Sequence, residues 1–416
     1  MFTRRKQNVI FSCMFAFFFI IFFRLALPAD DVADKDATPL QERFPLVWKH
    51  VHMAAAHGGA WHIPSDWLPP NSPPPSNITH AAQIAADVAS SESQRYLSHS
   101  SIPRIVHQVW KSTNIHHFPN AALPAVESWL EYATDPTLPS MAYFMWDDEG
   151  MLDLIAEANP DFLPHFEALP RPVEKADVFR VFVCNSVGGV YGDIDTTPLR
   201  PPTAWIQPRD IAPWVDPETD TIFVSDDPVA LVLGIEADTD EHADTFWRMG
   251  YTYPVQLTQW ALAGSRDQPV LNRFLENFRH AMEEAMKAPT DLANAPTSGS
   301  QLRKLDPLEL TGPSAITKAT KDYLAGVANL RWQALSGLQD GGHSKLVQDT
   351  LILPITGFSP GRGKYGNMGS KPYSDPDARL RHDAQGSWRK FDVVVEIGKA
   401  CRTVFGGCRY WSKTPG

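Results

Sequence analysis

The chain has 416 residues, enough for one large α/β domain or two small ones with flanking segments, and 43% of them are hydrophobic, so most of it can bury a core. Its formal net charge is -11 and it has no long basic run. These features argue against a nucleic-acid partner, because binding to phosphates requires clustered Lys and Arg. The four Cys contain no C-x-x-C pair of the kind that binds zinc.

The N-terminal segment contains basic residues followed by an apolar run. Arg4-Arg5-Lys6 precede an apolar run from Val9 to Phe23, and basic residues before such a run keep the N-terminus in the cytoplasm. We therefore expect a cytoplasmic tail over residues 1–8, a signal-anchor transmembrane segment over 9–27 and a lumenal location for the rest. A cleaved signal peptide is the competing interpretation, which Leu27 and Pro28 disfavour because they make a poor cleavage site.

Residues 28–100 are predicted to form a Pro-rich stem. The stretch 69–76 favours an extended spacer, and a short Ala-rich helix is predicted between Ala81 and Leu97. Asn77-Ile78-Thr79 is an N-glycosylation sequon, which makes Asn77 a candidate glycosylation site. The folded domain is then expected over residues 101–412.

Two of the cysteines lie close together near the C-terminus. Cys401 and Cys408 bracket a turn that contains Gly406-Gly407, and they can form a disulfide if the domain lies in an oxidising compartment. The spacing alone leaves this pairing open, because the distance between the two Cα atoms decides it.

Within the domain, buried strands alternate with helices. The predicted strands are Ile102 to Trp110, Ala142 to Trp146, Val190 to Asp195 and Val229 to Ile235, and the predicted helices are Met151 to Ala158 and Pro172 to Ser186. This alternation predicts an α/β fold with a mostly parallel mixed sheet flanked by helices. In such sheets ligands bind at the carboxyl ends of the strands.

The sequence Asp193-Ile194-Asp195 is the first candidate site. On a strand, this spacing points both carboxylates to one face and turns Ile194 into the core. Two converging carboxylates suit a hard divalent cation such as Mn²⁺ or Mg²⁺, which stabilises the charge of a departing nucleoside diphosphate. The pattern is weak alone, but it follows Gly188-Gly189 and an apolar helix rather than a surface turn.

A charged pair on the preceding helix is the second candidate. Asp177 and Arg180 are three residues apart and so share one face. An exposed helical ion pair is worth little, but this helix is apolar nearly all round, which predicts that the pair is buried. Buried charges need partners, and the hydroxyls of a sugar are one such partner.

Together these motifs resemble the fungal initiation-type α-1,6-mannosyltransferases, a family of retaining glycosyltransferases. The resemblance runs from Ile102 to Trp388 and covers most of the chain. It is carried by these segments in order: Ile102–Trp110, Tyr143–Asp148, Ala176–Arg180, Gly188–Thr196, Gly234–Asp238, Gln259-Trp260, Thr311–Pro313, Leu353–Ile355, Phe358–Gly361, His382 and Gly386–Trp388.

The resemblance implies a single catalytic domain of the GT-A type, a nucleotide-sugar donor and a divalent metal, Mn²⁺ being the expected one. It implies that Trp110 lies near the nucleotide base, that Asp177 and Arg180 hold the donor sugar, and that Tyr191 and Asp193 contact the ribose or the phosphates. Asp177, Arg180, Asp193 and Asp195 are the expected catalytic residues.

The resemblance also implies a metal shell and a closing segment. Asp195 binds the metal directly, with Asp193 as a second ligand and His382 as a candidate third, while Ser387 and Trp388 close over the diphosphate. Trp110 and Trp388 as core residues, and His382 as a surface histidine, are the alternatives. Gly192 departs from the larger apolar residue expected in this family, which predicts looser local packing.

The expected activity is therefore transfer of mannose from GDP-mannose, with retention and in α-1,6 linkage, to mannose-rich N-linked glycans. We expect the enzyme to be a single-pass type II protein of the Golgi membrane.

Alternatives within the family are a sphingolipid mannosyltransferase, whose relatives usually carry further membrane spans, and a transferase that uses a UDP-sugar. A non-catalytic lumenal lectin or scaffold predicts damaged motifs, whereas the key carboxylates are intact. A glycoside hydrolase needs two carboxylates flanking a glycosidic bond, and the glycine-rich context here suits phosphate and metal better.

The acceptor and the oligomeric state have no sequence signal. The segments Trp205–Thr221 and Ala288–Pro307 are either acceptor loops or filler.

Overall fold

The structure is a computed structural model that describes residues 38–68, 73–243, 245–287, 306–363, 368–383 and 393–408. The chain divides into two compact units, Met1–Arg43 and Phe44–Gly416. In the first unit, the described residues form a short helix, α1 (Leu40–Arg43). The other elements belong to the second unit.

The strands are β1 (Ala55–Ala56), β2 (Gly59–His62), β3 (Ile105–Val109), β4 (Ala142–Trp146), β5 (Gly189–Gly192), β6 (Thr196–Pro198), β7 (Trp214–Val215), β8 (Ile222–Phe223), β9 (Leu231–Asp238), β10 (Val255–Leu257), β11 (Ala261–Gly264), β12 (Lys345–Val347), β13 (Thr350–Leu353) and β14 (Leu380–His382). The α-helices are α2 (Pro45–Val47), α3 (Ile78–Ser91), α4 (Leu123–Thr134), α5 (Asp148–Ala158), α6 (Leu163–Glu167), α7 (Pro172–Ser186), α8 (Thr245–Arg248), α9 (Pro269–Met286), α10 (Pro307–Leu310), α11 (Pro313–Ala328), α12 (Ile355–Phe358) and α13 (Val393–Ala400).

A central sheet organises this unit. Its strand order is β1-β2-β4-β3-β5-β11-β9-β13-β12, with β10 paired to β9. The pairs β4-β3, β3-β5 and β9-β13 are parallel, and the other described pairs of this sheet are antiparallel. The predicted α/β class with a mixed sheet flanked by helices is confirmed, but the sheet is not mostly parallel, because β1, β2, β10, β11 and β12 form only antiparallel pairs in it.

Helices α3, α5, α7, α9 and α11 form a layer in which each helix contacts the next. Their apolar residues share one core cluster with the strands, including Phe144, Phe179, Leu262 and Phe274. Helix α7 spans Pro172–Ser186, as predicted, since Pro172 occupies its first turn and Gly188 and Gly189 continue the chain at positive φ of 79° and 124°.

The segment before residue 101 corrects the predicted stem. Strand β2 pairs with β4 in the central sheet, from Gly59↔Trp146 to His62↔Tyr143. Helix α3 is capped by Asn77, whose side-chain oxygen accepts a hydrogen bond from the His80 N–H at 2.8 Å, and the helix buries Ala81 and Ala85 completely. The stem prediction is therefore wrong from Phe44 onward, because the short strand β2 joins the central sheet through β4, which lies more than 80 residues further along the chain.

The predicted tail (1–8) and signal anchor (9–27) lie outside the described residues. Within the described ranges, no helix combines the length and apolar character needed to cross a membrane. The structure joins Cys401 to Cys408 by a disulfide, so the pairing that the spacing left open is formed. Cys184 is buried in α7 and is not part of a disulfide.

If the segment before residue 101 belongs to the domain, its removal should prevent folding. A chain starting at Phe44 should give a monodisperse protein with a cooperative thermal transition. A chain starting at Ser101 exposes the β4 edge and the apolar face that α3 covers, and it should aggregate on size-exclusion chromatography. A monodisperse, cooperatively folded chain from Ser101 would restore the stem interpretation.

His107 on β3 links two strands from inside the core. Its Nε2 lies 2.9 Å from the Gly188 carbonyl oxygen, and its Nδ1 lies 3.1 Å from Nε1 of Trp146, which can only donate. Both bonds are satisfied by the neutral ring with its proton on Nε2. Burial lowers the pKa of His107 to about 4, although the bond to Gly188 opposes this effect.

The free energy of unfolding should therefore fall as the pH is lowered from about 6.5 to about 4, because the unfolded chain binds a proton that folded His107 excludes. His107→Gln removes this titration and should flatten the pH dependence. Urea denaturation of both proteins near the two ends of this window measures the difference. Equal pH dependence in the two proteins would show that His107 carries none of it.

Candidate active site

The two aspartates of the first candidate site lie in a turn, not on a strand. Strand β5 ends at Gly192, so the predicted strand to Asp195 is three residues too long. The Thr196 N–H donates to the Asp193 carbonyl oxygen at 2.9 Å, and the Asp193 N–H donates to the Trp260 carbonyl oxygen at 2.9 Å. Ile194 is buried as predicted, so the turn still directs the two carboxylates away from the core.

Gly192 is a site of close packing. A Cβ atom at Gly192 would lie 2.4 Å from Cζ2 of Trp129 and 2.8 Å from Oγ1 of Thr196. The indole of Trp129 on α4 is fully buried there, and its Nε1 donates to the Thr196 carbonyl oxygen at 2.9 Å. The prediction of looser packing at Gly192 is therefore wrong, because Trp129 fills the space that a side chain would take.

Arg180 joins the helix to the turn. Its Nη2 lies 3.1 Å from Oδ1 of Asp177 and 3.0 Å from Oδ1 of Asp193, while its Nη1 donates to the Gln259 carbonyl oxygen at 3.1 Å. The hydroxyl of Tyr191 also donates to Oδ1 of Asp193, at 2.8 Å. The predicted buried pair of Asp177 and Arg180 is confirmed, and it extends to the first aspartate of the turn.

Burial sets the electrostatics of this cluster. Burial raises the pKa of Asp177 to about 7, against the opposing charge of Arg180. Burial also raises the pKa of Asp193, again opposed by Arg180. Burial by itself lowers the pKa of Arg180, but the charges of Asp193 and Asp177 outweigh it, so the pKa rises and the guanidinium stays charged. Arg180 therefore offsets part of the cost of desolvating two carboxylates, although the pKa of each stays above its ordinary value.

His382 reaches the turn from a separate part of the chain. It lies on β14, which pairs with β6 so that His382 faces Thr196. Its Nε2 is 3.4 Å from Oδ1 of Asp195, and its ring stacks on Trp260 with 4.5 Å between centroids. The indole Nε1 of Trp260 donates to the Phe358 carbonyl oxygen at 3.2 Å, which holds the indole in place.

Asp193, Asp195 and His382 could hold a metal ion, since one ligand atom from each lies within 4.8 Å of the others. Two carboxylate oxygens and one imidazole nitrogen form a donor set that suits Mn²⁺ and related divalent cations. The residues present thus fit the expected metal, and bound there it would neutralise a diphosphate leaving group.

The other predicted site residues have different outcomes. Trp110 directly follows β3 and is half-buried; its Nε1 donates to the His117 carbonyl oxygen at 3.4 Å and its ring packs on Phe118. Ser387 and Trp388 lie outside the described residues. Asn77 caps α3, and its glycosylation stays a prediction.

Sequence reasoning did not assign roles to three residues that shape the site. Trp129 fills the space at Gly192, Trp260 stacks on His382, and Thr311 donates to Oδ2 of Asp177 at 3.2 Å. Trp260 and Thr311 lie in segments that carried the resemblance, which was their only signal. Trp129 had no signal in the sequence, because its contact with Gly192 and Thr196 depends on the packing of α4 over β6.

Comparison with known proteins agrees with this site. Residues 119–211 match the family "Glycosyltransferase sugar-binding region containing DXD motif", a range that includes Asp177, Arg180, Asp193 and Asp195. This part of the chain is thus similar to the sugar-binding region of glycosyltransferases with a DXD motif.

Particular relatives make the resemblance more specific. The "Initiation-specific alpha-1,6-mannosyltransferase" of Schizosaccharomyces pombe is 31% identical over 300 residues, 70% of this chain and 65% of that protein. Its namesakes in Candida albicans and Saccharomyces cerevisiae are 26% and 22% identical, over 69% and 71% of this chain and 72% and 80% of those proteins. The predicted resemblance to the initiation-type α-1,6-mannosyltransferases is confirmed.

Among solved structures, the "PaToxG Glycosyltransferase" is similar with a TM-score of 0.33 and 13% identity, over 60% of this chain and 82% of that one.

The contact between Gly192 and Trp129 predicts a large effect of one methyl group. Gly192→Ala should lower the free energy of unfolding by about 1–3 kcal/mol, because the new Cβ overlaps the Trp129 ring. Gly326→Ala is the matched control: Gly326 lies in α11, nothing lies within 4 Å of its Cβ position, and the change should raise stability by about 0.5–1 kcal/mol. Urea denaturation measures both, and equal effects would argue against close packing at Gly192.

Proposed function

We propose that this protein is a retaining glycosyltransferase that moves mannose from GDP-mannose to a mannose-rich N-linked glycan, in α-1,6 linkage, in the lumen of the Golgi. The observation that carries the proposal is the position of Arg180 between Asp177 and Asp193, next to Asp195 and His382. A non-catalytic lectin or scaffold would have no need to keep this cluster of buried charges intact.

In this proposal each group has a chemical task. Asp177 and Arg180 bind hydroxyls of the donor sugar, and Arg180 also stabilises the negative charge that grows on the leaving diphosphate. The metal held by Asp193, Asp195 and His382 supplies further charge neutralisation. Two buried polar atoms, Nε of Arg180 and Oε1 of Gln259, have no hydrogen-bond partner among the described residues, as expected of a site that a ligand or water completes.

The same contacts favour attack by the acceptor from the face that the diphosphate leaves. Asp177 is bound to Arg180 and Thr311, Asp193 to Arg180 and Tyr191, and Asp195 lies against His382. In this proposal Asp193 and Asp195 hold the metal and Asp177 is paired with Arg180, so none of these three carboxylates is assigned as the nucleophile of a double displacement. Retention then follows from assistance by the leaving phosphate.

Three features support a lumenal and membrane-anchored protein. The disulfide between Cys401 and Cys408 is typical of an oxidising compartment, and the sequon at Asn77 suits the same location. The basic and apolar N-terminal segment supports an anchor over residues 9–27.

A second candidate is mannose transfer to a sphingolipid. The "Inositol phosphoceramide mannosyltransferase 2" of Schizosaccharomyces pombe is 39% identical, but over 94 residues that make up 23% of this chain. We favour the N-glycan acceptor because similarity to the initiation-specific enzymes extends over about three times as much of the chain. Product analysis with GDP-mannose, UDP-sugars and both classes of acceptor discriminates these candidates.

The metal role of the turn is tested by Asp195→Ala. Loss of one of three metal ligands should lower kcat with GDP-mannose and Mn²⁺ by about 100-fold or more and weaken Mn²⁺ binding, measured by electron paramagnetic resonance. Asp226→Ala, at an exposed aspartate outside the site, should change neither quantity. Unaltered turnover and Mn²⁺ affinity in Asp195→Ala would refute the role of Asp195.

A further inference from the structure

The carboxyl end of β9 lies at the same edge of the sheet as the Asp193-Asp195 turn. Strands β5 and β9 both run antiparallel to β11, which lies between them, so β5 and β9 point in the same direction. Glu236 is near the carboxyl end of β9, and one strand, β11, lies between β9 and β5. Strand β13 is parallel to β9, and the chain after it reaches the same edge.

A charged pair outside the donor cluster occupies this part of the edge. Nη2 of Arg362 lies 3.6 Å from Oε1 of Glu236, and Nη1 donates to the hydroxyl of Tyr251 at 2.6 Å. Oε2 of Glu236 accepts a hydrogen bond from Nε2 of Gln256 at 3.1 Å. The side chains of Glu236 and Arg362 are 14% and 25% exposed, so both are held by protein contacts and still open to solvent.

Trp260 connects this pair to the metal-binding cluster. The guanidinium of Arg362 lies over the Trp260 ring at 5.5 Å, and the same indole stacks on His382 at 4.5 Å. The contacts expected for the donor come from α7 and the turn after β5, whereas Glu236 lies on β9 and Arg362 in the segment after α12. Glu236 and Arg362 are therefore placed beside the reacting centre but away from the donor groups.

We propose that Glu236 and Arg362 form the subsite that binds the acceptor, and that the acceptor is a neutral saccharide recognised through two neighbouring hydroxyls; this inference rests on the proposed function. A hydroxyl both donates and accepts, so one hydroxyl donates to the Glu236 carboxylate while its neighbour accepts from the Arg362 guanidinium. An anionic acceptor is disfavoured, because Glu236 offsets the charge of Arg362 and repels a phosphate.

The test uses the full-length protein and a mannose-rich oligosaccharide as acceptor. Glu236→Gln and Arg362→Gln should each raise the KM for the acceptor by about tenfold or more, since each removes a charged hydrogen-bonding group. The affinity for GDP with Mn²⁺, measured by isothermal titration, should change by less than about twofold. An unaltered acceptor KM, or weakened GDP binding in place of a raised KM, overturns the assignment.

Two further variants separate recognition from a structural ion pair. The double variant Glu236→Arg with Arg362→Glu restores an ion pair but reverses the groups offered to the acceptor. A merely structural pair predicts recovery of the acceptor KM, which would overturn the assignment, and an acceptor subsite predicts that KM stays raised. Arg279→Gln and Glu283→Gln are matched controls at an exposed pair on α9, 2.7 Å apart, and should leave KM unchanged.

The outcome for this subsite is separable from the outcome for the proposed function. If the wild-type protein transfers no mannose from GDP-mannose, the proposed function fails. Acceptor binding is then measured by saturation-transfer NMR with methyl α-mannoside, where loss of contacts in Glu236→Gln and Arg362→Gln supports the subsite and retained contacts overturn it. A wild-type preference for an inositol-phosphate acceptor over the neutral oligosaccharide overturns the neutral acceptor class.

Discussion

The buried guanidinium of Arg180 is the constraint on which the site depends. Two carboxylates, from Asp177 and Asp193, are desolvated on either side of it, and a buried charge is stable only with partners in good geometry. The same side chain donates to the Gln259 carbonyl oxygen, so one residue ties α7 to the turn after β5 and to the chain entering β11. Loss of Arg180 would leave two buried negative charges without their counter-ion.

The direction of β11 in the central sheet decides which groups lie near the Arg180 cluster. Because β11 is antiparallel to both neighbours, its first residues arrive at the edge where β5 and β9 end. Trp260 therefore contacts both His382, which lies beside Asp195, and Arg362 of the Glu236–Arg362 pair. A wholly parallel sheet would start β11 at the opposite edge, and the two groups would lose the indole that they share.

Local patterns were informative where the structure depends on near neighbours. Helix α7 and strand β4 have the predicted bounds, because a proline, a glycine pair and an unbroken apolar run mark them in the sequence. The stem prediction failed from Phe44 onward because β2 is short and its partner β4 lies more than 80 residues away. Strand β5 ended early because the Asp193 turn is held by contacts with Trp260 and Trp129, which are distant in the chain.

The sequence by itself determined the chemical groups of the site: the aspartate pair, the Asp177 and Arg180 helix face, and the ordered motifs that resemble the α-1,6-mannosyltransferases. It determined them because residue type and short spacing are local properties. Only the tertiary structure decided that Arg180 bridges both aspartate groups, that His382 joins them from β14, and that Glu236 and Arg362 meet against Trp260. Those contacts depend on strand order and on side-chain packing between segments far apart in sequence, and no local pattern encodes either of them.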